Sequence, residues 1–151
     1  MKNRAVLEDL LVLDLTDEKG LYVGKLLADM GAHVIKVEAP GGDPARHIGP
    51  FYEDRADPAG SLYWWYHNTS KKSITLDIRD SRGQRLFKQL ALDADVVLES
   101  FSPGYLASLG LDYPALSSSN PKLVYTSLSG FGQSGPHRDY KTSDLVAMAL
   151  G

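Results

Sequence analysis

Six basic side chains, Lys19, Arg46, Lys71, Lys72, Arg79 and Lys141, are spread along this chain where they could meet the phosphates of a bound ligand. A guanidinium or ammonium facing phosphate makes a charge-assisted hydrogen bond about twice as strong as a neutral one. Taken singly, each is also an ordinary solvated charge, because lysine and arginine are seldom buried without a partner. The remaining polar groups gather in short stretches: Glu38 with Arg46, Ser100 to Ser102, and Ser129 to Lys141. Other chemistries find little support. His33, His47, His67 and His137 are scattered and none pairs with another at metal-ligand spacing, so no metal is expected. There is no cysteine, which removes thiol nucleophiles, thiolate metal sites and disulfides. GlyPheGlyGln at 130–133 does not form the G-x-S-x-G of a nucleophile elbow, and Ser117 to Ser119 reads as a polar helix end.

A dinucleotide site would place G-x-G-x-x-G directly after the first strand, because the pyrophosphate needs bare backbone there. That place reads ThrAspGluLysGlyLeuTyr (16–22), and Asp17 and Glu18 put negative charge at a helix start, favouring the helix and opposing a phosphate. Glu38 ends the second strand, where a ribose-binding acid would lie, but the glycines are missing. NAD is therefore not expected.

The elements that must position these groups begin with Leu11 to Glu38, a strand–helix–strand unit. Leu10 to Leu15 is an apolar run interrupted by Asp14, as in a parallel strand covered on both faces. Val23, Leu26, Leu27 and Met30 fall on one helical stripe, with Lys25 and Asp29 facing water and Gly31 as a left-handed C-terminal cap. His33 to Val37 forms the second strand. A long polar loop follows to about Gly60, a length that points to reach over a site or a partner. LeuTyrTrpTrpTyr (62–66) either plugs this loop onto the core or stacks on a ligand base. Ser73 to Asp77 is a third strand, and Asp80 or Ser81 caps a helix with Leu86, Phe87, Leu90 and Ala91 inward. Val96 to Leu98 makes a fourth strand, a polar helix lies around Tyr113 to Ser119, and Leu123 to Leu128 makes a fifth strand. The Gly-rich loop 130–136 leads to a last helix capped by Thr142 or Ser143, with Leu145, Val146, Ala149 and Leu150 apolar.

The fold class expected is α/β: a Rossmann-like, mostly parallel sheet with helices on both faces, its ligand bound outside the carboxyl ends of the strands. A chain of 151 residues fits one such domain. A net charge of -3 offers no basic face for nucleic acid, and no apolar run approaches a membrane span. The start, MKNRAVLEDLL, carries acidic residues where a signal peptide would be apolar, so a cytoplasmic protein is expected.

LeuAspLeuThr (13–16), GlyLysLeuLeuAlaAspMetGlyAlaHisValIleLysValGluAlaProGlyGlyAspProAlaArg (24–46), AsnThrSerLysLysSerIleThrLeuAsp (68–77) and AspValValLeuGluSerPheSerProGly (95–104) together resemble the class III CoA-transferases, the carnitine dehydratase and bile-acid-inducible protein F family. LeuGlyLeuAspTyr (109–113), AsnProLysLeuValTyr (120–125) and SerGlyPheGlyGlnSerGlyPro (129–136) continue the match. The resemblance implies a CoA-binding domain of an enzyme that moves CoA between carboxylic acids through anhydride and thioester intermediates on an aspartate. Its substrates would be acyl-CoA and a carboxylic acid, and its usual assembly an interlocked homodimer. By position, the family's CoA contacts map onto Lys19 and Gly20; Leu76, Asp77, Ile78 and Arg79; Ser100, Phe101 and Ser102; and Lys141, Thr142, Ser143 and Asp144. Ala39 and Ser108 stand where basic residues occur in other members. The nucleophilic aspartate of the family lies beyond the segment matching Tyr140 to Gly151, so this chain reads as the N-terminal part of such an enzyme, inactive alone. A CoA or adenine-nucleotide binding module, or a structural subunit completing another chain, is the alternative. The related α-methylacyl-CoA racemases carry a histidine where Ser143 stands, and a hydroxyl without a base cannot take an α-proton at neutral pH.

Overall fold

The computed structural model describes residues 4–150. Five strands, β1 (Leu11–Leu15), β2 (His33–Glu38), β3 (Lys72–Thr75), β4 (Val96–Glu99) and β5 (Val124–Ser127), form one parallel sheet in the order β3-β2-β1-β4-β5. The chain winds outward from β1 in one direction to β3, then returns to the other side of β1 for β4 and β5. The order therefore reverses between β1 and β4, and in such sheets the crevice at that reversal is the ligand site.

The register gives the two faces of the sheet different chemistry. Leu13, Leu15, Val37 and Val97 point to one face, where they join Phe87 and Ala91 of α3 (Ser81–Asp93), Leu106 of α4 (Tyr105–Ser108) and Leu116 of α5 (Tyr113–Ser117) in the main core. Asp80 caps α3 by accepting from the Arg82 amide at 2.8 Å. Of the four residues expected to face inward on α3, Leu86 instead lies largely exposed.

On the other face, Val12, Val34 and Leu98 pack under α1 (Leu21–Asp29), whereas Asp14 and Lys36, further along the same strands, are adjacent in register and both buried. The stripe of α1 differs from that expected. Val23 and Leu27 do pack inward, but Leu26 and Met30 are exposed, and Leu21, Gly24 and Ala28 take the innermost line. Close approach is the reason: a Cβ on Gly24 would stand 2.2 Å from Asp14 Oδ2, so small residues must face the sheet and the larger ones turn away. Lys25, expected in water, is mostly covered, with its ammonium 2.6 Å from Asp29 and 2.9 Å from the Thr69 hydroxyl.

The segment after β2 is not an uninterrupted loop. It folds into three short 3-10 turns, Pro44–His47, Tyr52–Asp54 and Pro58–Gly60, with the Asp43 and Asp57 carboxylates accepting from the Ala45 and Ala59 amides at 2.8 and 2.9 Å. LeuTyrTrpTrpTyr begins a helix, α2 (Leu62–His67), capped by Ser61. Trp64 is buried with Leu21 and Ala45 and serves the packing role, while Trp65 and Tyr66 remain substantially exposed. The last helix, α6, spans Asp144–Leu150. Among the described residues, no helix is long and apolar enough to cross a membrane.

Candidate functional site

The carboxyl ends of β1, β4 and β5 open onto a cleft of about 510 Å³. Its lining is drawn from separate loops: Lys19 after β1, Ser100 to Pro103 after β4, Leu128 to Gly130 after β5, and Arg138 to Thr142 before α6. A second hollow of about 150 Å³ lies on the β2–β3 side, lined by Leu15, Val37, Ala39, Leu76, Asp77, Ile78, Arg79 and Tyr105, and Phe101 belongs to both. A third, of about 290 Å³, lies beneath α4 and the start of α5, with Glu99, Tyr125 and Ser127 among its walls; it shares Ser102 and Arg138 with the main cleft.

Sequence-distant residues meet here through specific contacts. Across the reversal point, Ser100 Oγ accepts from the Asp17 amide at 2.8 Å and donates to the Asp17 carboxylate at 2.7 Å. The same carboxylate holds the Lys19 ammonium at 2.5 Å, so Asp17, which had read as an obstacle to phosphate, is engaged by its neighbours. Gly130 permits the far wall. A Cβ there would stand 2.4 Å from the Thr142 side chain, so only glycine lets the β5 loop and the segment before α6 pack this closely.

Of the residues singled out from sequence, Lys19, Ser100, Phe101, Ser102, Lys141 and Thr142 line the main cleft, and Leu76, Asp77, Ile78 and Arg79 line the second hollow. Gly20, Ser143 and Asp144 line neither. Gly20 is buried, and a Cβ on it would come 2.6 Å from Thr16. The Ser143 hydroxyl accepts from the Val146 amide at 3.4 Å, capping α6, which is a structural use for the position where a racemase would need its base. None of residues 40–60 lines any of the three cavities.

The basic candidates divide sharply. Lys71, expected to be a surface charge, is buried, with its ammonium 2.8 Å from Asp14 and 2.9 Å from the Leu21 carbonyl. Burial pushes its pKa down, and the Asp14 carboxylate partly restores it. Lys36 lies beside it, 3.0 Å from Asp43 and 4.0 Å from Asp14, and donates to the Thr16 carbonyl. Arg46 forks onto Glu38 at 2.6 and 2.7 Å and stacks 4.0 Å from the Trp64 ring. Glu38 is thus a buried ion-pair partner and not a ribose acid. Arg79 makes a two-point contact with Asp77 at 2.8 and 2.9 Å, and that pairing holds the Asp77 carboxyl below its ordinary range. The remaining basic residues of the main cleft are Lys141 and Arg138; Arg138 was not singled out from sequence, though a cation two residues past the Gly-rich loop 130–136 was the available signal.

Burial pushes the Glu99 carboxyl up, with hydrogen bonds from Ser127 and the Phe101 amide acting in the opposite direction. Among the described residues, no group of three His, Asp or Glu side chains could hold a metal ion.

An open parallel sheet covered by helices on both faces, with its strand order reversing beside β1, defines a Rossmann-like α/β fold. Residues 7–151 match CoA-transferase family III, and the chain belongs to that family. It is 42% identical over 139 residues to the succinyl-CoA:(R)-benzylsuccinate CoA-transferase subunit BbsE of Thauera aromatica, covering 92% of this chain and 34% of that protein. It is 44% identical to a succinate–glutarate CoA-transferase of Agrobacterium fabrum, covering 87% of this chain and 34% of the other. A crystal structure of a CAIB/BAIF family protein from Brucella suis superposes with a TM-score of 0.88 at 39% identity, over 97% of this chain and 39% of that one. The chain therefore spans about a third of the length of the curated relatives it matches.

Proposed function

We propose that residues 1–151 form the N-terminal, CoA-binding domain of an acyl-CoA:carboxylate CoA-transferase. The observation that supports this reading is the main cleft. Three separate loops bring Lys19, Ser100 to Ser102, Lys141 and Thr142 to one cavity at the sheet's reversal point, and these are positions where the family resemblance puts CoA contacts. The adjoining hollow under Phe101 adds Leu76 to Arg79, so a long ligand could run from one to the other. Relatives named for succinyl-CoA and for succinate–glutarate transfer support an acyl-CoA donor and a carboxylic acid acceptor. The assembly proposed is a homodimer.

Calorimetry with CoA, ADP and NAD tests the ligand. CoA is expected to bind more tightly than NAD, and Lys141→Ala to weaken CoA at least tenfold at low salt, the effect of losing one charge-assisted contact of about 1.5–3 kcal/mol. Tighter binding of NAD would overturn the reading; unchanged CoA affinity in Lys141→Ala would return that lysine to the solvated class.

Transfer through an anhydride needs a carboxylate placed beside the thioester. Among the described residues, Asp139 is the one acid lining the main cleft, and its carboxylate faces the Arg138 guanidinium at 3.2 Å while remaining largely exposed. The 151-residue chain alone is therefore expected to turn over no acyl-CoA. A transferase assay with succinyl-CoA and glutarate checks this, and measurable turnover would place the nucleophile within these residues.

A further inference from the structure

We propose that Arg138 is an oxyanion-binding residue of the main cleft. The inference deepens the CoA reading and rests on it for the place of the ligand. It follows from asking which cations near the carboxyl ends of the strands still have donors to offer. Arg46 and Arg79 each commit two nitrogens, Nε and Nη2, to a fork on one carboxylate, Lys71 and Lys36 are buried in ion pairs, and Lys19 is held by Asp17. Arg138 differs. Its Nε reaches Asp139 Oδ2 at 3.2 Å, and neither of its terminal nitrogens has a partner among the described residues.

Its position fits the role. Arg138 lines the main cleft with Lys141 and Ser102, and it also lines the chamber that contains Glu99. The second hollow, by contrast, has one cation, Arg79, already matched by Asp77, and Ala39 in its wall adds no charge. Among the described residues near the carboxyl ends of the strands, the cationic donors still open, the Lys141 ammonium and the terminal nitrogens of Arg138, are therefore gathered in the main cleft. A planar guanidinium whose terminal N–H edge is open suits a phosphate or carboxylate oxyanion better than a point charge does. Asp139 competes with the ligand for that guanidinium, so its removal should strengthen anion binding.

The test is calorimetry on the chain with pyrophosphate, succinate and CoA at low salt, comparing Arg138→Gln, Arg138→Lys and Asp139→Asn with wild type. Circular dichroism verifies folding, and Arg138 and Asp139 are exposed enough that the variants should fold. Arg138→Gln is expected to weaken at least one of the three ligands about tenfold, Arg138→Lys to fall between, and Asp139→Asn to tighten the same ligand several-fold. Loss for pyrophosphate and CoA identifies a phosphate as the oxyanion; loss for succinate alone identifies a carboxylate. Equal affinities in wild type and Arg138→Gln overturn the inference and leave the CoA reading standing. Wild type binding pyrophosphate or succinate through Arg138 but not CoA sustains the inference and sinks the CoA reading. No binding of any ligand overturns both.

Discussion

Asp14→Asn is expected to destabilise the fold by about 3–5 kcal/mol, the range for removing one partner of a buried ion pair. Asp14 is fully buried in β1 and is the carboxylate that Lys71 faces at 2.8 Å, with Lys36 on its other oxygen at 4.0 Å. Asparagine preserves the shape and can still accept from the Thr16 hydroxyl, which Asp14 does at 2.6 Å, but it leaves the Lys71 ammonium buried without its counter-charge. The effect reaches the main cleft through a short path. Lys36 and Thr16 lock the end of β1, Gly20 packs on Thr16, and Asp17 between them holds Lys19, which lines the cleft. Urea titration followed by tryptophan fluorescence measures the change, with the slope m unaltered. Lys71→Met placed in the Asp14→Asn background should recover part of the loss, because the stranded charge goes with it. A loss below about 1 kcal/mol, or no recovery in the double variant, would show that the charges relax to water instead of depending on each other.

Acid is expected to remove about 3 kcal/mol of stability through Glu38 alone. Burial by itself would raise this carboxyl. The Arg46 fork, the Ser73 hydroxyl and the Asp43 amide together outweigh burial and bring the pKa from 4.5 down to about 2. Because the folded value is the lower one, the stabilisation is fully present above the unfolded pKa and is lost as pH falls through the interval down to the folded value. The window therefore runs from roughly pH 5 to pH 2. Urea midpoints at pH 7, 4 and 3 for wild type and Glu38→Gln provide the measurement. Wild type should be clearly more stable at pH 7, and the gap should narrow toward pH 3, since the amide does not titrate. Parallel pH profiles for the two proteins would exclude Glu38 as the source.

Much of the architecture was legible from residue order. Strand-length apolar runs at Leu11, His33 and Val96, the positive-φ cap at Gly31 and the Asp80 cap are local properties, set by side-chain periodicity and by backbone freedom within a few residues. The motifs that resemble the family's are local too, and they include Ser100 to Pro103, Ser129 and Gly130 of the main cleft and Leu76 and Asp77 of the second hollow. What only the tertiary structure decided is which charges are engaged. Lys71 meets Asp14 across 57 positions of sequence, and Ser100 meets Asp17 across 83. No periodicity carries that information, because it depends on which strands are neighbours and on the register between them. The stripe of α1 turned for the same reason: how closely the helix approaches β1 was set by Asp14 and Gly24 together, and neither residue alone reveals it. Lysines of identical type thus became a buried structural charge at 36 and 71 and a cleft-lining charge at 141, because burial and the nearest carboxylate, both consequences of the fold, determine what an ammonium can do.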